Sequence, residues 1–197
     1  MQGRDEAVKN CIEELEQDME LLGVTGVEDK LQDEVALTIE SLRGAGIQIW
    51  MLTGDKVETA TCIAMSAGFK SRHQQLFFMR DMTNEKECEL LLKEFRAKNP
   101  EKYILMIDGQ TIDLFMKHHE EAFFSVATLC PSVCVCRCSP TQKALIVKKI
   151  SFFTQKRTAA VGDGGNDVGM IVEAHVGIGI VGKEGKQASL ASDFSIN

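Results

Sequence analysis

Thr53-Gly54-Asp55-Lys56 places a hydroxyl, a flexible glycine and an acid directly after the apolar run Ile47 to Leu52. Backbone N–H groups at the start of a following helix, with its dipole, would make that turn a cradle for an anion such as phosphate; a plain helix cap by Asp55 is the competing reading. Arg137 and Lys143 flank Ser139-Pro140-Thr141-Gln142, which reads as an N-cap, a proline at the first helical position and a capping box. Lys143 then sits in the first helical turn, where a cation opposes the dipole, so either an anion faces it or it is an ordinary solvated lysine. Gly162-Asp163-Gly164-Gly165-Asn166-Asp167 follows the short run Thr158 to Val161. Two carboxylates and an amide on a glycine-rich loop are hard oxygen donors suited to one Mg2+ that keeps several waters, or else form an ordinary turn.

These groups need a scaffold that brings strand ends together. Apolar runs at Ile47–Leu52, Leu76–Met79, Tyr103–Ile107, Ser132–Cys138, Thr158–Val161 and Val176–Ile180, with a last strand around Phe194, alternate with helical patterns. The helices are expected at Arg4–Leu22, around Val35–Leu42, and at Val57–Ala67, Glu85–Ala97, Thr141–Phe153 and Asp167–Glu173, with one further helical stretch running to Leu129. A short, partly extended stretch is expected over Leu22–Val27. Such alternation predicts an α/β fold with a mainly parallel sheet covered on both faces, and ligands lie beyond the carboxyl ends of such strands. Eight of the 16 glycines fall between Gly162 and Gly185, where the backbone is shaped for close approach.

At 197 residues, 44% apolar and 26% charged, the chain is long enough for a real core and has the balance of a globular protein. With 22 Lys and Arg against 29 Asp and Glu, its net charge of -7 gives no basis for a surface that tracks nucleic acid. The longest stretch without charge, Ala122 to Cys136, is too short to span a bilayer and contains Pro131, and the N-terminus has no signal-peptide pattern. Seven cysteines without a Cys-x-x-Cys pair argue for a reducing compartment.

The order Thr-Gly-Asp, then a lysine opening a later helix, then Gly-Asp-Gly-x-Asn-Asp resembles the haloacid dehalogenase superfamily. More narrowly, Thr53 to Lys56, Arg137 to Lys143 and Gly162 to Ile171 resemble the phosphorylation domain of P-type ATPases. Gly182-Lys183-Glu184-Gly185-Lys186-Gln187-Ala188, with Ser192-Asp193-Phe194-Ser195 after it, is similar to the type-four class, the phospholipid flippases, and Val168-Gly169-Met170 replaces the Ala-Pro usual in cation pumps. The resemblance implies a Rossmann-like three-layer sandwich, ATP as substrate and Mg2+ as cofactor, with phosphoryl transfer to an aspartate driving phospholipid movement. Carried over by motif, Asp163 would bind Mg2+ with Asp167 beside it or behind it, and Asn166 would hydrogen-bond the phosphate. Thr53, Gly54 and Asp55 would contact the phosphoryl group or nucleotide, Lys143 would neutralise charge on the transferred oxygens, and Arg137 would assist at the nucleotide. The parent would be a multi-pass membrane protein, in Golgi or endosomal membranes among the options, with this part on the cytosolic side and the remaining domains of the ATPase as its partners.

The family's nucleophile string, Asp-Lys-Thr-Gly-Thr, is not in this sequence. Asp108-Gly109-Gln110-Thr111 follows a strand as a nucleophile loop does, but it comes after Thr-Gly-Asp in the chain, so Asp108 is read as a helix cap. The expectation is a fragment, inactive alone and lacking the nucleophile strand of its sheet, with residues 1–20 a helix returning from the nucleotide-binding insertion and 21–197 the later part of the phosphorylation domain. A free-standing phosphatase of the same superfamily and a non-catalytic regulatory fragment are the alternatives. Cys134, Cys136 and Cys138 are read as strand core rather than a metal site, and His118 and His119 are assigned no role.

Overall fold

The computed structural model describes residues 3–26, 31–182 and 185–197, in two units divided after Lys30. In the first, α1 (Arg4–Leu15) is shorter than its periodicity suggests. Glu13, Glu14, Glu16, Asp18 and Glu20 crowd its carboxyl end with no basic residue in the last turn, which the helix dipole disfavours, and the chain turns at Asp18 with φ 55. Val27, the last residue of the expected extended stretch, lies outside the described residues.

The second unit begins with α2 (Val35–Gly44), β1 (Ile49–Leu52), α3 (Val57–Ser66), β2 (Gln75–Met79), α4 (Glu85–Ala97) and β3 (Tyr103–Asp108). There follow α5 (Gly109–His118), α6 (Glu120–Ala127), β4 (Ser132–Cys136), α7 (Pro140–Thr154), β5 (Ala159–Gly162), α8 (Val168–Glu173), β6 (Val176–Ile180), α9 (Gln187–Ala191) and β7 (Phe194–Ile196). Three details depart from the sequence expectation. The strand expected over Ser132–Cys138 ends at Cys136, because Arg137 turns to φ 50. The helical stretch to Leu129 is two helices that meet at His119 (φ -139), because Glu120 and Glu121 favour opening a new helix over continuing an old one. The short helix α9 also lies where no helix was expected.

All strand pairs are parallel, but they form two sheets, ordered β1-β4-β3-β2 and β5-β6-β7. Alternation on β3 and β4 divides the core between two faces. Leu105, Ile107, Val133 and Val135 meet Leu92, Phe95, Phe115, Phe124 and Ile146 on one side. On the other, Ile104, Met106, Cys134 and Cys136 meet Ile39, Val57, Ala60 and Ala64. Both strands are therefore buried on both faces, which is why their sequences are apolar throughout. A third cluster joins Val147 of α7 to Ala160, Met170, Ile171 and Ala188, and Leu52 from the end of β1 packs against it. The two sheets thus adjoin at β1 and β5, each of which is an edge strand.

Candidate phosphoryl-transfer cleft

The turn after β1 is laced to the turn after β4 by backbone hydrogen bonds. Thr53 N–H donates to Val135 O (2.9 Å), Cys138 N–H to Thr53 O (2.9 Å) and Arg137 N–H to Asp55 O (2.8 Å). Arg137 adopts φ 50 to make that bond, a left-handed conformation that costs about 1 kcal/mol or more for a residue with a Cβ. Within the turn, Thr53 Oγ1 donates to Asp55 Oδ2 at 2.7 Å and accepts from Asp55 N–H at 3.1 Å. Asp55 caps no helix: the N-cap of α3 is Lys56, with no side-chain capping bond.

The capping box expected on α7 is present, with Gln142 N–H donating to Ser139 Oγ and Ser139 N–H to Gln142 Oε1. Gln142 Nε2 also donates to Gly109 O (2.8 Å), tying this helix end to the end of β3. Gly109 admits no side chain, because a Cβ there would stand 2.5 Å from Arg137 O. Asp108 is the cap that its chain order suggested, accepting from Thr111 N–H at 2.7 Å, and it also accepts from Asp81 N–H at 2.7 Å.

Lys143 Nζ donates to Asp167 Oδ1 at 2.8 Å, and both side chains are under a tenth exposed. The other oxygen, Asp167 Oδ2, accepts a long bond of 3.4 Å from Gly164 N–H. The anion facing Lys143 in this structure is therefore Asp167 itself, a pairing that the sequence analysis did not make. The nearby Cys138 thiol does not compete for it, since burial pushes its pKa up to about 12 despite the Lys143 charge. Gly162 is required behind this pair, as a Cβ on it would lie 2.3 Å from Asp167 Cβ. Asp163 and Asn166 remain exposed on the loop.

Thr53, Gly54, Asp55, Lys143, Asp163, Asn166 and Asp167 all line one cleft of about 470 Å³, at the carboxyl ends of β1 and β5. Met170 contributes apolar wall, as does Ile180, which no motif signalled. Arg137 is not among the lining residues; its backbone braces the Thr53 turn while its side chain is exposed. The cleft thus offers an ammonium, backbone N–H groups, hydroxyl and amide donors, and carboxylate oxygens within one space. Among the described residues no group of three or more His, Cys, Asp or Glu could cage a metal ion. Asp163, with Asp167 partly engaged by Lys143, fits instead a hard cation that takes one or two carboxylates and completes its shell with water and phosphate oxygens.

Residues 1–175 match the family model of the haloacid dehalogenase-like hydrolases. The chain belongs to that family. A probable phospholipid-transporting ATPase IIB from Homo sapiens is 54% identical to it over 196 residues, covering 100% of this chain and 17% of the relative. The phospholipid-transporting ATPase NEO1 of Saccharomyces cerevisiae is 51% identical over 197 residues, again 17% of its length, and the probable phospholipid-transporting ATPase tat-5 of Caenorhabditis elegans is 48% identical over 183. The haloacid dehalogenase-like chain therefore spans about a sixth of these relatives. No helix among its described residues is long and apolar enough to cross a membrane.

Proposed function

We propose that this chain is the later part of the phosphorylation domain of a phospholipid-transporting P-type ATPase, the nucleotide-binding insertion and membrane helices lying elsewhere in the longer protein. The observation that carries this reading is the convergence of Thr53, Lys143 and Asp163 on one cleft. Residues that are distant in sequence are held there by backbone bonds and a capping box rather than by mobile side chains.

In the proposed reaction a carboxylate oxygen of an aspartate in Asp-Lys-Thr-Gly-Thr attacks the γ-phosphorus of ATP. The bond from that phosphorus to the bridging oxygen breaks and ADP leaves; water later cleaves the aspartyl phosphate. Lys143 neutralises charge on the transferred oxygens, and the Thr53 hydroxyl with the N–H groups of its turn orients them. Asn166 donates its amide to the phosphoryl group. Asp163, with Asp167, would hold Mg2+, which when bound supplies charge neutralisation at the phosphate. Arg137, exposed and outside the cleft lining, would assist at the nucleotide. The aspartate is not among these 197 residues, so on this reading the chain alone is inactive. The strand bearing the aspartate would pair with the free edges of β1 and β5 and make the two parallel sheets one, which supports placing the nucleophile above the cleft. The energy released would drive phospholipid between leaflets of a cellular membrane.

The test is reconstitution. Joining an Asp-Lys-Thr-Gly-Thr segment and the nucleotide-binding insertion of a relative upstream of this chain, then supplying labelled ATP and Mg2+, should give acid-stable phosphate on the protein. Asp163→Asn should abolish it. A folded, ATP-binding product that takes up no phosphate overturns the reading; turnover of a small phosphate ester by this chain alone would point to a free-standing phosphatase.

A further inference from the structure

At the opposite end of α7 from the cleft, a groove of about 540 Å³ is lined by Lys148, Ser151, Phe152, Gln155, Lys156, Arg157 and His175. Arg157 lies shortly before β5 and His175 immediately before β6, so the groove is at the amino ends of these strands. Cations here are not consumed in capping the helix. Gln155, in a left-handed conformation, donates its N–H to Ser151 O (2.9 Å) and its Nε2 to Phe152 O (2.6 Å). Among the described residues neither Lys156 nor Arg157 forms an ion pair, and Lys148 makes only an exposed 3.7 Å contact with Glu173. Phe152 stands 63% exposed beside them. A chain with 29 acidic and 22 basic residues has thus gathered three cations, two of them without an ion pair among the described residues, around one exposed aromatic ring.

We infer that this groove is a docking site for an acidic peptide segment carrying an apolar anchor residue. Its carboxylates would meet Lys148, Lys156 and Arg157, with the anchor against Phe152 and the Ser151 and Gln155 side chains beside the peptide backbone. Scale decides between a peptide and an anionic membrane. A short peptide senses the field within a Debye length of roughly 8 Å, where Lys148, Lys156 and Arg157 cluster, whereas a lipid surface also faces the rest of a chain that carries 29 acidic against 22 basic residues. This inference does not depend on the chemistry assigned to the cleft.

The experiment is fluorescence anisotropy on the full chain with a labelled peptide of Asp and Glu around a single Leu, compared with the same peptide carrying Ser for Leu. Binding should weaken about tenfold or more in the Lys156→Glu/Arg157→Glu variant, about threefold in Phe152→Ser, and strongly in high salt. Lys86→Glu/Lys117→Glu makes the same change in net charge on α4 and α5 and should leave affinity within about twofold. Equal weakening by both double variants would reduce the effect to net charge and overturn the inference. So would equal affinity for the Ser peptide, no peptide binding at all, or capture by phosphatidylserine vesicles in preference to the peptide. All the substitutions are at exposed positions, and unchanged thermal melting verifies that the variants fold.

Discussion

Lys143 Nζ and Asp167 Oδ1 form a buried ion pair at 2.8 Å that joins the first turn of α7 to the loop after β5. Asp167→Asn keeps the shape and leaves a buried ammonium without its counter-ion, which should cost about 3–5 kcal/mol in urea unfolding. Lys143→Met/Asp167→Leu, which removes both charges, should recover most of that loss while abolishing phosphate binding. A single variant as stable as the parent would show that the pair is not structural.

Asp163 behaves differently because it is exposed and has no ion-pair partner among the described residues. Asp163→Asn should leave unfolding within about 0.5 kcal/mol of the parent. Added Mg2+ should raise the Tm of the parent, and that rise should be absent in Asp163→Asn. A Mg2+ response that survives in Asp163→Asn would remove this residue from the cation site.

Gly162→Ala tests the floor of the cleft. Its methyl would lie 2.3 Å from Asp167 Cβ, so the loop must move and the ion pair with it. Destabilisation of about 1–3 kcal/mol is expected, together with weaker Mg2+ binding, by calorimetry. Gly26→Ala, with nothing within 4 Å of the added methyl, should be nearly silent.

The thiols give a pH dependence with a definite sign. Burial raises Cys130, Cys134 and Cys138 from an ordinary 9.0 to about 12, and Cys136 to about 11. Between those limits the unfolded chain loses protons that the folded chain retains, so stability is full below about pH 9 and falls as pH rises towards 12. Iodoacetamide at neutral pH should modify the exposed Cys11 and Cys62 and spare the five buried cysteines, as read by mass spectrometry. Rapid native-state labelling of Cys134 would contradict the packing of β4.

Much of the fold was legible because burial leaves a plain mark. β3 and β4 are buried on both faces and read as unbroken apolar runs, and the Ser139 to Gln142 capping box could be read letter by letter. The loops holding Thr53 and Asp163 were legible because residue type and spacing are themselves the chemistry. The Lys143 to Asp167 pair was not, since residue types do not show whether a carboxylate faces a cation from solvent or one from its own chain. The division of the sheet at β1 and β5 is a matter of pairing, which apolar pattern does not encode beyond neighbours in the chain. The break at His119 was missed because Lys117 to Glu121 is polar enough for a helix surface and carries no glycine or proline to mark an end. The groove around Phe152 escaped because His175 lies some twenty residues from the others and meets them only through the return of β5 and β6.

One helix serves both ends of this unit. From Lys143 to Thr154, α7 covers about 16.5 Å at 1.5 Å per residue, and one turn on from Lys143 Ile146 sits in the large core while Val147 sits in the small one. A single helix thus packs into both cores, with the cleft lysine near one end and the Phe152 groove at the other.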